Sequence, residues 1–192
     1  MKSDNKTSIE ITKESLRTAL LQLLEDQSLH QIKITDLCKR AGVSRMAYYR
    51  HYHSIINLYQ DIIHHLLEGF LVQSHAYILK GNWQDFWLSF FEYIYDNRYQ
   101  VKIILSNQEQ IEILYYLNRL FAPKIESNNQ KQFFHIRGII GLTYNIMLTW
   151  VQSDFSMSTH DLAHLCNQFI NTNISGYSLQ NFFNPNFSTK KD

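Results

Sequence analysis

The sequence predicts an all-α protein of about nine helices. Breakers are scarce, since 192 residues contain only six glycines and two prolines, Pro123 and Pro185, and long uninterrupted stretches favour helix. Along those stretches apolar residues recur at spacings of three and four, the period of one helix face. With 45% hydrophobic and 14% aromatic residues the chain has ample apolar surface for a core, which excludes global disorder and a disulfide-stapled miniprotein. The length suits one domain, or one domain with a small annex, and excludes two large ones.

Across residues 12–26, Leu16, Ala19, Leu20, Leu23 and Leu24 define an amphipathic helix with Thr12 in the N-cap position. Residues 28–34 read as a connector. Thr35 is placed to cap a short second helix whose Leu37, Cys38 and Ala41 face inward. Gly42 stands at its C-terminal end, where a left-handed φ costs glycine little. Ser44 opens a third helix running to about Tyr52. A reversal at His53 and Ser54 then starts a long fourth helix through Ile55, Leu58, Ile62, Ile63, Leu66, Leu67 and Phe70.

Breaks near Lys80, Gly81 and Asn82, and near Asn97, separate helices over residues 83–95 and 101–105. Asn107 can cap a helix over about 108–121, and Pro123 with the polar run 126–131 marks the next loop. A long helix follows over about 132–152, with Ile136, Ile140, Thr143, Met147 and Trp150 on one face. Gly138 and Gly141 inside it cost about 1 kcal/mol each relative to alanine in a lone helix, and are explained where another helix packs closely. Ser158 or Thr159 caps a last helix carrying Leu162, Leu165, Cys166, Phe169 and Ile170. The faces of these last two helices are wider than one small domain needs. They are expected to form a two-fold four-helix interface with a second copy, through Ile136, Ile140, Thr143, Met147, Trp150, Leu162, Leu165 and Phe169. From about Ser175 the chain turns polar and reads as a loose tail, so the expected division is 1–54, 55–174 and 175–192.

No apolar run approaches the roughly 18 residues of a membrane span. Cys38 and Cys166 lie far apart in a chain without a secretory leader, so free thiols and a cytoplasmic location are expected. The net charge of +1 points to no partner, but residues 1–53 carry nine Lys/Arg against six acids, a net +3, and the remainder is −2. Between residues 33 and 53 five basic side chains face Asp36 alone. Such a balance attracts phosphates, but on charge alone a solvated basic face is the better reading.

Spacing is more telling than charge. Residues 35–52 spell helix, glycine turn, helix, the geometry that sets a second helix into the major groove of DNA. The tight reversal at Ala41, Gly42 and Val43, with Ser44 as cap, presents one face of that helix. Tyr48 and Tyr52, four apart, can pack inward, which leaves Arg45, Met46, Tyr49 and Arg50 on the opposite surface.

The segment ITDLCKRAGVSRMAYYRHYHSIINLY resembles the DNA-binding segment of the TetR family of bacterial one-component regulators. Gly42, Val43, Ser44, Tyr49, His51 and Tyr52 stand where that family has its glycine, valine, serine, tyrosine, histidine and aromatic. YIYDNRYQVKIILSN and the stretch 150–165 resemble C-terminal regions of TetR-like regulators from Gram-positive bacteria. The resemblance implies an N-terminal three-helix helix-turn-helix DNA-binding domain plus a C-terminal helical ligand-binding and dimerisation domain. It implies a homodimer on a palindromic double-stranded operator, most simply a repressor released by a small-molecule effector. By position, Arg45 and Met46 would meet base edges, and Thr35, Tyr49 and His51 would meet phosphates. Ser44, Ala47, Arg50 and His53 would share the DNA-facing surface. Ile55 departs from the family, which commonly has lysine there, and this removes one phosphate contact unless His53 or the helix N-terminus supplies it.

In the C-terminal region Trp83, Phe86, Trp87, Phe90, Tyr115 and Tyr144 are candidates to line an effector cavity, although each also reads as plain core. The run His160-Asp-Leu-Ala-His164 approaches a zinc-protease helix, but Asp161 is one methylene shorter than the usual glutamate. Neither an enzyme nor a bound metal or cofactor is expected, since paired carboxylates, a nucleophile elbow and a phosphate loop are all missing from the sequence. Two other readings stay open: an interaction module or coregulator acting through a protein partner, and a regulator responding to metal held by some of the nine histidines.

Overall fold

The structure, a computed structural model, describes residues 2–106, 110–121 and 130–173. Among them every regular element is helical: α1 (Lys2–Leu24), α2 (Ile34–Ala41), α3 (Arg45–Tyr49), α4 (Ile55–Lys80), α5 (Trp83–Asp96), α6 (Arg98–Ser106), α7 (Gln110–Phe121), α8 (Gln130–Gln152) and α9 (Thr159–Asn173), with a 3-10 turn at Leu29–Gln31. The all-α class and the number of helices agree with the sequence reading. The Asn107 cap, the Pro123 loop and the tail from Ser175 lie outside the described residues. Among the described residues no helix is long and apolar enough to cross a membrane.

The chain forms two compact units, Met1–Glu68 with Lys102–Gln110, and Gly69–Val101 with Ile111–Asp192. Both α4 and α6 contribute to each unit, whereas the sequence reading set the division at the start of α4.

In the first unit Leu16 and Leu20 of α1, Leu37 of α2, Tyr48 of α3, and Leu58 and Ile62 of α4 make a core with almost no solvent exposure. Tyr59 of α4 donates its hydroxyl to the Ile104 carbonyl of α6 at 3.0 Å. Two expected caps are corrected here. Thr12 lies inside α1 and donates its hydroxyl to the Ser8 carbonyl one turn back, at 3.0 Å. Residues 2–11 contain neither glycine nor proline to stop the helix, and a threonine within a helix can satisfy its hydroxyl on its own backbone. Thr35 is the second residue of α2, because helical bonding begins at the Lys33 carbonyl, which accepts from the Asp36 and Leu37 N–H groups at 3.0 and 3.1 Å. Gly42 closes α2 as expected, at φ +67°, while the Val43 N–H donates to the Cys38 carbonyl at 3.0 Å. No atom lies within 4 Å of a Cβ built on Gly42, so conformation rather than space demands glycine there.

The second unit is built on aromatic packing. Phe70 of α4 meets Phe86 and Phe90 of α5 edge to face at 5.4 and 5.1 Å, and Phe91 of α5 meets Trp150 of α8 at 5.5 Å. Helices α5 and α9 pack extensively. A Cβ at Gly69 would collide with the Tyr93 hydroxyl and stand 3.2 Å from Tyr93 Cζ. Gly69→Ala, which would gain about 1 kcal/mol of helix propensity at an open site, is therefore expected to lower the thermal midpoint. Adding Tyr93→Phe should restore part of the loss by deleting the colliding atom. Identical melting of wild type and Gly69→Ala would contradict the close approach.

The faces expected to meet a second copy are partly used within the chain. Ile140, Trp150 and Leu162 are buried in their own unit, Ile136, Thr143, Met147 and Leu165 are half-buried, and Phe169 is exposed. Helix α5 takes up part of this apolar face, its Phe91 lying on Trp150 while it packs along α9, and Ile136, Thr143, Met147, Leu165 and Phe169 keep solvent exposure. The opposite face of α8 carries exposed Phe134, Gly138 and Asn145 and half-exposed Gly141. Nothing among the described residues comes within 4 Å of a Cβ on either glycine, so the close neighbour expected for them is not one of those residues.

Candidate nucleic-acid interface

The α2–turn–α3 segment is assembled by local chemistry. Ser44 caps α3, its Oγ accepting from the Ala47 N–H at 3.1 Å, as the sequence indicated. Beyond Tyr49 the helical turn continues: the Arg50 N–H donates to the Met46 carbonyl at 3.1 Å and the Tyr52 N–H to the Tyr48 carbonyl at 2.9 Å. The inward and outward faces separate as expected. Tyr48 is 0% exposed and Tyr52 4%, while Met46 is 77% and Tyr49 54% exposed. Thr35, Ser44, Arg45, Arg50 and His53 are exposed; Ala47 and His51 are half-buried.

A polar cluster that the sequence reading missed fixes the end of this segment. Asp61 Oδ2 on α4 accepts from the Tyr52 hydroxyl at 2.7 Å and from Arg17 Nε on α1 at 2.8 Å. Arg17, itself 6% exposed, also donates through Nη1 to Glu10 and Glu14 at 3.0 Å each. Burial alone would raise the Asp61 carboxyl, but the hydrogen bonds from Tyr52 and Arg17 outweigh it and hold it below the usual carboxylate range. Burial, then the bond to Asp61, pushes the Tyr52 phenol well above its ordinary value.

Tyr48 contrasts with Tyr52. Its hydroxyl is buried with no hydrogen-bond partner among the described residues, and burial pushes the phenol up to about 12. Tyr48→Phe is therefore expected to leave stability unchanged or to raise it by up to about 1 kcal/mol in urea unfolding, because the hydroxyl's desolvation is not compensated. A loss of more than about 1 kcal/mol would mean that the hydroxyl has a partner after all.

A cleft of about 610 Å³ adjoins the exposed surface and is lined by Lys33, Thr35, Arg45, Tyr49, His53 and Ile55, among others. Lys33 was not among the residues singled out from the sequence; as the exposed residue just before α2 it shares this cleft with Ile55. Burial, then Lys13 and Arg50, depresses the His51 imidazole. This disfavours the imidazolium in the chain by itself, so the ring has an N–H to offer a phosphate before any charge.

Elsewhere, Phe86, Trp87, Phe90 and Tyr144 are buried and Trp83 is half-buried. Phe86 and Phe90 both pack on Trp87, at 5.1 and 5.9 Å. Tyr115 is 66% exposed on α7. Ser74 Oγ, Trp87 Nε1 and Thr143 Oγ1 are buried without a hydrogen-bond partner among the described residues. His160 and His164 are exposed on α9, His164 pairing with the Gln168 amide at 3.0 Å. Among the described residues no group of three or more His, Cys, Asp or Glu is placed to hold a metal ion. No protein-family model and no curated protein matches the chain.

Proposed function

We propose that the chain is a TetR-like, DNA-binding transcriptional regulator acting as a homodimer, most simply a repressor released by a small molecule. The observation that carries this reading is the short capped helix α3, which is anchored inward through Tyr48 and Tyr52 and presents Arg45, Met46, Tyr49 and Arg50 to solvent. A guanidinium at the start of such a helix suits the paired acceptors of guanine, and an exposed methionine suits the thymine methyl. Thr35, Tyr49 and the residual hydroxyl hydrogen of Ser44 suit phosphate oxygens. Lys33, in the same cleft as Ile55, supplies the charge missing at Ile55. In a dimer, a partner helix has room to approach closely on the face of α8 bearing Phe134, Gly138, Gly141 and Asn145, beside the exposed parts of the face bearing Ile136, Thr143 and Met147. The Ser74, Trp87 and Thr143 groups, without a hydrogen-bond partner among the described residues, favour an effector able to hydrogen-bond within the second unit.

The test is binding of the purified chain to DNA from immediately upstream of its own gene, against a scrambled duplex, over a salt series. Preference for the natural duplex that survives moderate salt supports the reading. Weak, equally salt-sensitive binding to both duplexes counts against it. Lys33→Ala should weaken binding on all sequences and reduce the salt slope by about one unit.

A further inference from the structure

We infer that the second unit binds a small organic cation, an ammonium carrying apolar substituents, in the cleft between the C-terminal half of α5 and the turn joining α8 to α9. The cleft has a volume of about 680 Å³, within the range of small-molecule sites. Its chemistry has two parts. Glu92 and Asp96 lie one turn apart on α5, both exposed, and neither meets a cation among the described residues. Tyr95 and Phe155 supply aromatic walls around the largely buried Trp150; no lysine or arginine lines the cleft, although the Arg98 guanidinium stands over one wall ring, that of Tyr95. Like charges one turn apart repel. A cation bound between them relieves that repulsion, and ring faces attract it further.

The aromatic wall is built in advance. Asp154 and Phe155 adopt left-handed φ of 53° and 60°, and the Phe155 N–H donates to the Trp150 carbonyl at 2.9 Å. Trp150 Nε1 donates to the Met157 carbonyl at 2.9 Å, which pins the turn across the indole. Phe155 then stands edge to face on Trp150 at 4.9 Å and on Tyr95 at 5.7 Å. Two consecutive non-glycine residues in the left-handed region are costly, and here they set the Phe155 ring into the cleft wall. The Tyr95 ring already attracts one cation, the Arg98 guanidinium at 4.7 Å, which a bond to the Tyr95 carbonyl at 3.0 Å holds in place. Of the residues that line this cleft, none is among the candidates named above for the effector cavity, and binding here needs no DNA.

The probe is choline, compared by calorimetry with its uncharged isostere 3,3-dimethylbutan-1-ol on the intact chain. Saturable choline binding is expected, with the isostere at least about tenfold weaker. Glu92→Gln with Asp96→Asn should weaken choline by about fivefold or more, and both side chains are exposed, so the fold is retained. Phe155→Leu should weaken choline and leave the isostere unchanged. Equal affinity for choline and the isostere, absence of saturable choline binding, or unchanged affinity in the folded double variant each overturns the inference. Because no DNA enters the assay, none of these outcomes bears on the regulator reading.

Discussion

Asp61→Ala is expected to lower the stability of the chain by about 2–4 kcal/mol, a large share of the margin that keeps a domain folded. One oxygen, Oδ2, accepts both the Tyr52 hydroxyl at 2.7 Å and Arg17 Nε at 2.8 Å. Its removal leaves a buried phenol and a buried guanidinium edge without an acceptor, which is how breaking a buried pair destabilises. The full penalty for such a break is moderated because Arg17 keeps Glu10 and Glu14. Those carboxylates are 59% and 60% exposed, and exposed pairs contribute roughly 0–1 kcal/mol. Urea unfolding of the single variants and of Arg17→Met with Asp61→Ala tests the coupling. The double variant should lose clearly less than the sum of the singles, since an apolar pair replaces a desolvated ionic one; simple additivity would refute it.

The same carboxylate sets an acid limb. Its folded pKa lies below the unfolded value of about 4, so its contribution is complete at neutral pH and is lost as pH falls below that value through the folded one. Asp61→Asn should flatten that limb. If the proposed regulator reading holds, it should also weaken DNA binding at neutral pH while the chain remains folded, because Tyr52 ends the segment proposed to read DNA and loses its charged anchor.

What was legible in the sequence was local. Gly42 and Ser44 declared the turn because left-handed φ and N-capping each select a few residue types, and the i, i+4 spacing of Tyr48 and Tyr52 fixed which side of α3 is buried. Threonine was ambiguous, since its hydroxyl can cap a helix or bond back within one, and Thr12 does the second. The Arg17–Asp61 pair joins residues 44 positions apart and has no motif. Its only trace is a charge set within each apolar stripe, beside Leu16 and Leu20 and beside Leu58 and Ile62. On α8 the periodicity identified an apolar face, of which α5 takes Trp150 through Phe91, and nothing in the pattern distinguishes a helix of the same chain from one of a second copy.

On the proposed regulator reading, Arg45→Ala is expected to weaken binding to the upstream duplex by about 1–3 kcal/mol and to relax the preference at one base position, because the bidentate guanine contact proposed for it discriminates by that amount. Arg45 is the first residue of α3, exposed and directly after the Ser44 cap, the part of a reading helix that approaches base edges. Lys33→Ala serves as the contrast: a phosphate contact gives a loss shared by every sequence and a change in salt slope. Met46→Ala provides a second contrast, since the side chain is uncharged and 77% exposed, so its loss should reduce a preference for thymine and leave the salt slope unchanged. Binding to a panel of duplexes substituted one base pair at a time separates these cases. If Arg45→Ala weakens all duplexes equally and lowers the salt slope as Lys33→Ala does, then Arg45 contacts the backbone, and base recognition must fall to Met46, Tyr49 and Arg50. That outcome would leave the orientation of α3 in the groove rotated from the one proposed, since side chains at successive helix positions point about 100° apart and cannot exchange roles without turning the helix.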